Sequence, residues 1–245
     1  MIRPTLVLVS GLASDEATWR PQLDALGGGI ECRPVVPSGR TIEEMADAII
    51  EGSPPRFVIA GHSLGGYVAL AVQRRAAERV QGLALLNTSA APDGERQRRN
   101  RLALIAAVEE YGYEAVVDRL MGVIGGPSAT PAVLAEIRAM MLRAGPDRFR
   151  RDQLAALERE DSRPTLGRIA IPTLIVGSRG DRVVPPEASA EIASLIAAAD
   201  LQILDGAGHV SPLEAPAAIE AALRRWLDRV FGAGWREGAP PHSAS

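Results

Sequence analysis

The sequence predicts a doubly wound, mostly parallel α/β sheet of about six strands with a helical insertion. Three observations carry that expectation. Short apolar runs alternate with segments of helical spacing, each run has the length of a buried strand, and the alternation fails in a single place.

In chain order the strand candidates are Leu6–Val9, Cys32–Val36, Phe57–Ala60, Leu83–Leu86, Thr173–Val176 and Leu201–Leu204. Between them, Ile42, Met45, Ala46, Ile49 and Ile50 keep a 3.6-residue period, as do Ile219, Ala222, Leu223, Trp226, Leu227 and Val230. Between Ala91 and Pro164 no strand pattern occurs. Helical spacing there runs through Leu104, Ile105, Val108 and Tyr111, and again through Val133, Leu134, Ile137, Met140 and Met141. In open α/β sheets the ligand site lies beyond the carboxyl ends of the strands, so an insertion leaving such an end can roof it. Residues 93–163 are therefore expected to form a helical lid over a core made of residues 1–92 and 164–231, with Tyr111, Tyr113, Met140, Met141 and Phe149 shaping the pocket. The Gly-, Pro- and Ser-rich stretch 232–245 reads as a flexible tail.

Composition narrows the function classes. The chain has 245 residues, of which 47% are apolar, enough for a sizeable core, and its net charge of −3 offers no general attraction to nucleic acid or anionic lipid. No segment approaches the ~18 apolar residues of a membrane span. The opening "MIRPTLVLVSGLAS" is continuously β-prone only from Thr5 to Val9 and reads as a strand, not as a secretion signal. The lone cysteine, Cys32, cannot form an internal disulfide and reads as a quiet structural thiol, which suits the cytoplasm. All 27 basic residues are arginine, a bias that implies no function.

Chemistry enters at "VIAGHSLGGYVAL", where Ser63 stands between Gly61 and Gly65 at a strand-to-helix corner. A serine that merely capped the helix would need neither glycine. A strand turning at once into a helix strains its corner residue and leaves no room for side chains on either flank, and the hydroxyl is lifted to where the helix N-terminus favours negative charge. Such a hydroxyl needs a base. Of the three histidines, His242 lies in the tail and His62 adjoins the serine, where the turn points it elsewhere. His209, in "DGAGHVSP" after a strand, is left as the candidate base. Asp181, in "TLIVGSRGDRVVPP", also follows a strand at the carboxyl edge and is the candidate carboxylate. Asp205 is the rival, but it shares a turn with His209 and is expected to stabilise that turn.

On these residues the chain resembles the α/β-hydrolase family, with "GHSLGG" as the nucleophile elbow, "GSRGD" as the acid loop and "GAGH" as the histidine loop. The likeness covers roughly Leu6 to Phe231, starts at the family's first central strand, and departs from it where Ser10-Gly11 replaces the usual His-Gly, which puts the support of that loop in question. It implies an oxyanion hole made by the backbone N–H groups of Leu12 and Leu64. It further implies hydrolysis of a carboxylic ester, thioester or lactone of a small molecule through an acyl-enzyme. Alternatives on the same fold are carbon–carbon bond cleavage, as in menaquinone-pathway synthases and meta-cleavage hydrolases, or a receptor that binds with little turnover.

"ERQRRNR", Glu95 to Arg101, concentrates arginines, but at 100° per residue they scatter around a helix, and a solvated edge is the expectation. No phosphate loop, nicotinamide fingerprint or metal-ligand cluster is present in the sequence. The expected partner is a small-molecule substrate, without cofactor, metal, nucleic acid or membrane. Nothing in the sequence specifies an oligomeric state.

Overall fold

In the computed structural model, which describes residues 3–237, the strand β1 (Thr5–Val9) is buried along its whole length inside a sheet. A 3₁₀ turn (Glu16–Trp19) and α1 (Arg20–Leu26) lead to β2 (Glu31–Val35), the edge strand on one side. Thr41 then starts α2 (Ile42–Gly52), its hydroxyl accepting from the Glu44 amide, and the chain returns to the other side of β1 as β3 (Phe57–His62). After α3 (Leu64–Arg75) comes β4 (Val80–Leu86). Four helices follow without a strand: α4 (Glu95–Tyr111), α5 (Tyr113–Ile124), α6 (Pro131–Glu158), kinked at Gly145-Pro146, and α7 (Arg163–Leu166). The chain then completes β5 (Thr173–Ser178), α8 (Pro186–Leu195), β6 (Ala199–Leu204), α9 (Ser211–Glu214) and α10 (Pro216–Phe231).

The sheet has six strands in the order β2-β1-β3-β4-β5-β6, with every neighbouring pair parallel. Because the winding reverses beside β1, a crevice opens beyond the carboxyl ends of β1 and β3. The period-2 alternation of the strands divides their side chains between two cores. Val7, Val9, Ile59, Leu83, Leu85 and Ile175 face α2, α3 and α8. Leu6, Leu8, Val58, Ala84, Leu86 and Val176 face α1 and α10. A third cluster, built around Val116, Val117, Ile137, Met141 and Phe149 of the insertion, reaches down to Ala13 and Val210 of the core. The insertion is also rooted in the sheet, because Ala155 and Ala156 of α6 belong to the first core.

All six expected strands are present, but β4 begins at Val80 and β6 at Ala199, earlier than the apolar runs suggest. At the first of these, Gly82 hides the strand from a hydrophobicity reading, and α10 is the reason for the glycine. A Cβ at this position would lie 2.7 Å from a Val230 methyl and 3.0 Å from the Trp226 ring. The stretch expected to be a flexible tail from position 232 is in part structured. Residues Ala233–Glu237 form a 3₁₀ turn that buries Trp235 against the second core, with its indole N–H donating to Asp228, and residues 238–245 lie outside the described part. Cys32 is partly covered and burial pushes its thiol up to about 11, as befits an inert side chain. Among the described residues no helix is long and apolar enough to cross a membrane. Trp235→Ala should cost about 3 kcal/mol in urea unfolding; a loss below about 0.5 kcal/mol would show that the segment does not pack.

Candidate active site

The corner between β3 and α3 is as tight as the two glycines suggest. A Cβ on Gly61 would lie 2.2 Å from the Gly65 carbonyl oxygen, and one on Gly65 would lie 2.3 Å from that of Val9. Ser63 sits between them at φ 54°, ψ −118°, held by its N–H to the Leu86 carbonyl at 2.9 Å and by the Thr88 hydroxyl donating to its own carbonyl at 2.8 Å. Positive φ at a non-glycine residue recurs only at Ala13 and Asn87 among the described residues, and both belong to loops at this sheet edge.

Ser63, His209 and Asp181 are brought together in the order the sequence suggests. The Ser63 hydroxyl donates to His209 Nε2 at 2.8 Å, and His209 Nδ1–H donates to Asp181 Oδ2 at 2.8 Å. Asp181 is nearly inaccessible, and its second oxygen accepts the amides of Val183 and Val184 at 2.8 and 2.9 Å. Burial raises its carboxyl, but His209, the Val184 amide and Asn87 outweigh that and hold it below the ordinary carboxylate range. Asp205 lies elsewhere: it is solvent-exposed and pairs with Arg179 at 2.8 Å. It does not bind the backbone of its own turn, as was expected. That task falls to Glu214, whose carboxylate accepts from the amides of Gly208 and Val210 on either side of His209 and from Gly126 of the insertion, at 2.8 to 2.9 Å.

Two further residues hold the arrangement, and neither stood out in the sequence. Asn87 Nδ2 donates to Asp181 Oδ2 at 3.0 Å and lies within reach of Ser178 Oγ and the Gly208 carbonyl, while its oxygen accepts the Ser211 hydroxyl at 2.6 Å. A polar Asn-Thr pair at the end of an apolar strand was its only signal. His62, expected to point away, instead lies under His209, with ring centroids 5.2 Å apart. Its Nε2 is 2.7 Å from the His209 carbonyl oxygen, so Nε2 carries the proton, and burial pushes its pKa down to about 3. A neutral His62 thus braces the backbone of His209 without placing charge beside it.

Leu12 and Leu64 flank Ser63 in the cavity wall, and Leu64 opens α3, where the first amides have no helical partner. The loop carrying Leu12 lacks the His-Gly pair, and its support comes from α6. Asp152, fully buried, accepts the Ala13 amide at 3.1 Å, Arg148 donates to the Ser14 carbonyl, and Arg143 pairs with Asp15 at 2.8 Å. From within the loop, the Ser10 hydroxyl donates to the Asp15 carbonyl at 3.0 Å. Burial pushes the Asp152 carboxyl up, against the opposing pull of the Ala13 amide and of Arg151 and Arg148.

Above Ser63 lies a cavity of about 420 Å³. Its wall is largely apolar, with Met140, Met141 and Phe149 in it, whereas Tyr111 stands exposed and Tyr113 supports the wall from behind through its hydroxyl, which donates to the Met141 carbonyl. The arginines of "ERQRRNR" do scatter, but not all into solvent. Arg99 pairs with exposed Glu95, whereas Arg101 turns into the cavity wall beside Asp93 and Gln153.

A parallel sheet with a strained serine at its switch point and a serine–histidine–aspartate chain across its edge defines the α/β-hydrolase class of fold. The family model described as "Alpha/beta hydrolase family" matches residues 6–222, and the chain belongs to that family. It is 30% identical to "Putative carbamate hydrolase RutD" of Rhizobium rhizogenes over 91% of this chain and 92% of that one. Among solved structures it is similar to a thermophilic esterase from Thermogutta terrifontis, with 29% identity, TM-score 0.84 and coverage of 93% and 90% of the two chains. It is also similar to the enol-lactonase from Burkholderia xenovorans LB400, with 25% identity, TM-score 0.81 and coverage of 93% and 92%.

Asp181→Asn should lower turnover by up to ~10⁴, the scale of the same change in a serine protease, while Asp205→Asn stays near wild type. Steady-state kinetics on both variants, with circular dichroism to confirm folding, decides between them. Asp152→Ala should lower kcat by about 10-fold or more with little change in KM, because the Ala13 amide loses its anchor and the loop drifts. Asp152→Asn, which keeps an acceptor, should restore most of the rate; equal losses in both variants would show that the carboxylate acts otherwise.

Proposed function

We propose that the protein hydrolyses a small-molecule carboxylic ester, or the closely related thioester, lactone or carbamate, through an acyl-enzyme. The single observation carrying this reading is the hydroxyl–imidazole–carboxylate chain from Ser63 through His209 to Asp181, open to an apolar cavity. The names of the relatives, a carbamate hydrolase, an esterase and an enol-lactonase, all describe acyl transfer to water and support it.

In this reading Ser63 Oγ attacks the substrate carbonyl while His209 Nε2 takes its proton, and Asp181 stabilises the resulting imidazolium. The carbonyl oxygen, now negative, is held by the amides of Leu12 and Leu64. Collapse of the tetrahedral intermediate breaks the bond to the leaving group, which receives the proton from His209. Water then attacks the acyl-serine, gives its proton to His209, and releases the acid as Ser63 regains its hydrogen. Neutral His62 suits this cycle, because a second cation beside His209 would oppose the imidazolium. The helical insertion serves as the lid, supplying the cavity's apolar wall. No metal or cofactor is needed for these steps, and the cytoplasmic setting suggested by the lone Cys32 belongs to the same reading.

A fluorophosphonate probe should label the protein once, at Ser63, and p-nitrophenyl esters of graded chain length should show an optimum set by the cavity. Labelling that persists in Ser63→Ala would refute the assignment.

A further inference from the structure

Among the residues lining the cavity there are three guanidiniums, of Arg101, Arg159 and Arg182, and one carboxylate, that of Asp93. Asp181 lies behind His209 and is engaged there. Arg182, at the cavity wall, donates to the carbonyls of Gly122 and Gly125. The other three groups form one island. Asp93 is almost wholly buried, with one oxygen 2.7 Å from Arg159 Nη1 and the other accepting from Arg101 Nε.

The two arginines are not equivalent. Arg159 donates to the carbonyls of Ala91 and Ala156 and lies 4.2 Å over the Tyr67 ring, so its N–H groups are committed to the protein and its charge cancels that of Asp93. Arg101 has the same carboxylate as its only anionic partner. Its Nη1 donates to the neutral Gln153 amide at 2.7 Å, and the Tyr67 hydroxyl lies beside it. One fifth of its side chain is exposed, and it lines the cavity. The island therefore carries a net positive charge, and Asp93, Gln153 and the Tyr67 hydroxyl engage only part of the five N–H groups of the Arg101 guanidinium. A partly desolvated cation that shares its one counter-ion with a second arginine is stabilised by a further anion, and a planar guanidinium matches a carboxylate in geometry as well as charge.

We infer that Arg101 is the receptor for a carboxylate on the substrate, remote from the bond that Ser63 cleaves. The natural substrate class is then an anionic acyl compound: either a half-ester, half-thioester or half-amide of a dicarboxylic acid, or an acyl compound whose leaving group bears the carboxylate. This inference rests on the acyl-transfer reading and names its substrate class.

The test compares kcat/KM for matched pairs. Mono-p-nitrophenyl esters of succinic, glutaric and adipic acid are set against p-nitrophenyl esters of the same length ending in methyl, and acetylated hydroxybenzoate against acetylated cresol. In at least one arm the anionic member should be favoured by ~10-fold or more, the scale of a charged hydrogen bond, and that arm tells which half of the substrate carries the charge. Arg101→Gln should bring the ratio close to one, and Arg101→Lys should keep part of it. A wild-type ratio at or below one in every arm, or an unchanged ratio in Arg101→Gln, overturns the proposal. Calorimetric binding of glutarate gives a readout independent of turnover. It should be at least ~10-fold tighter to wild type than to Arg101→Gln, and equal or absent binding to both counts against the subsite. If glutarate binds as expected while no ester is turned over and no fluorophosphonate reacts, the acyl-transfer reading has failed and the anion subsite stands.

Discussion

Everything at the site depends on a steric constraint: the chain must turn from β3 into α3 with backbone passing against backbone on both sides of Ser63. That close approach excludes side chains at positions 61 and 65 and forces Ser63 into a backbone region that a serine avoids. Such strain persists only when the surroundings over-determine it. Here the surroundings are the buried sheet behind it, whose strand β4, the neighbour of β3, holds the corner through the Leu86 and Thr88 contacts. The same sheet edge delivers Asp181 and His209, so the Ser63 hydroxyl and the His209 ring are aligned by strand ends and not by long flexible loops.

Around this corner the polar groups form layers, each of which is satisfied by the next. His209 is held through its ring by Asp181, through its carbonyl by His62 and through its flanking amides by Glu214. Asp181 is held in turn by Asn87 and two amides of its own loop. Burial of this many polar atoms is tolerable because nearly every one has a partner, and it leaves the imidazole one orientation. The exception among them is His62 Nδ1, whose lone pair is buried without a donor. Its position against His209 accords with a residue kept for placement despite a cost in stability.

The sheet was legible in the sequence because parallel strands, covered on both faces, read as unbroken apolar runs, and the elbow because glycines at 61 and 65 announce a backbone crossing. Asp181 and His209 were legible because both follow strands. Asn87, Asp152 and Glu214 were not, for a common reason. Each does its work through bonds to residues distant in sequence or to backbone amides, and no local period or spacing records such a pairing. Arg101 was misread for a different reason: a helical wheel shows that arginines scatter, but not which neighbour, here α6 with Gln153, receives the one that turns inward.

The grip of α6 on the loop of Leu12 and Ala13 bears on how such an enzyme could be altered. The helix that walls the cavity through Met140, Met141 and Phe149 also carries Asp152, Arg148 and Arg143, the anchors of that loop. The helical insertion is therefore not a cassette that can be exchanged between relatives to import a new substrate preference. A grafted segment would arrive with its own apolar wall but without the three anchors in register. Diversification of this scaffold is then channelled into point changes at the cavity-lining positions of α6 and in α4, which has no buried residue, while Asp152, Arg148 and Arg143 stay tied to the loop beneath.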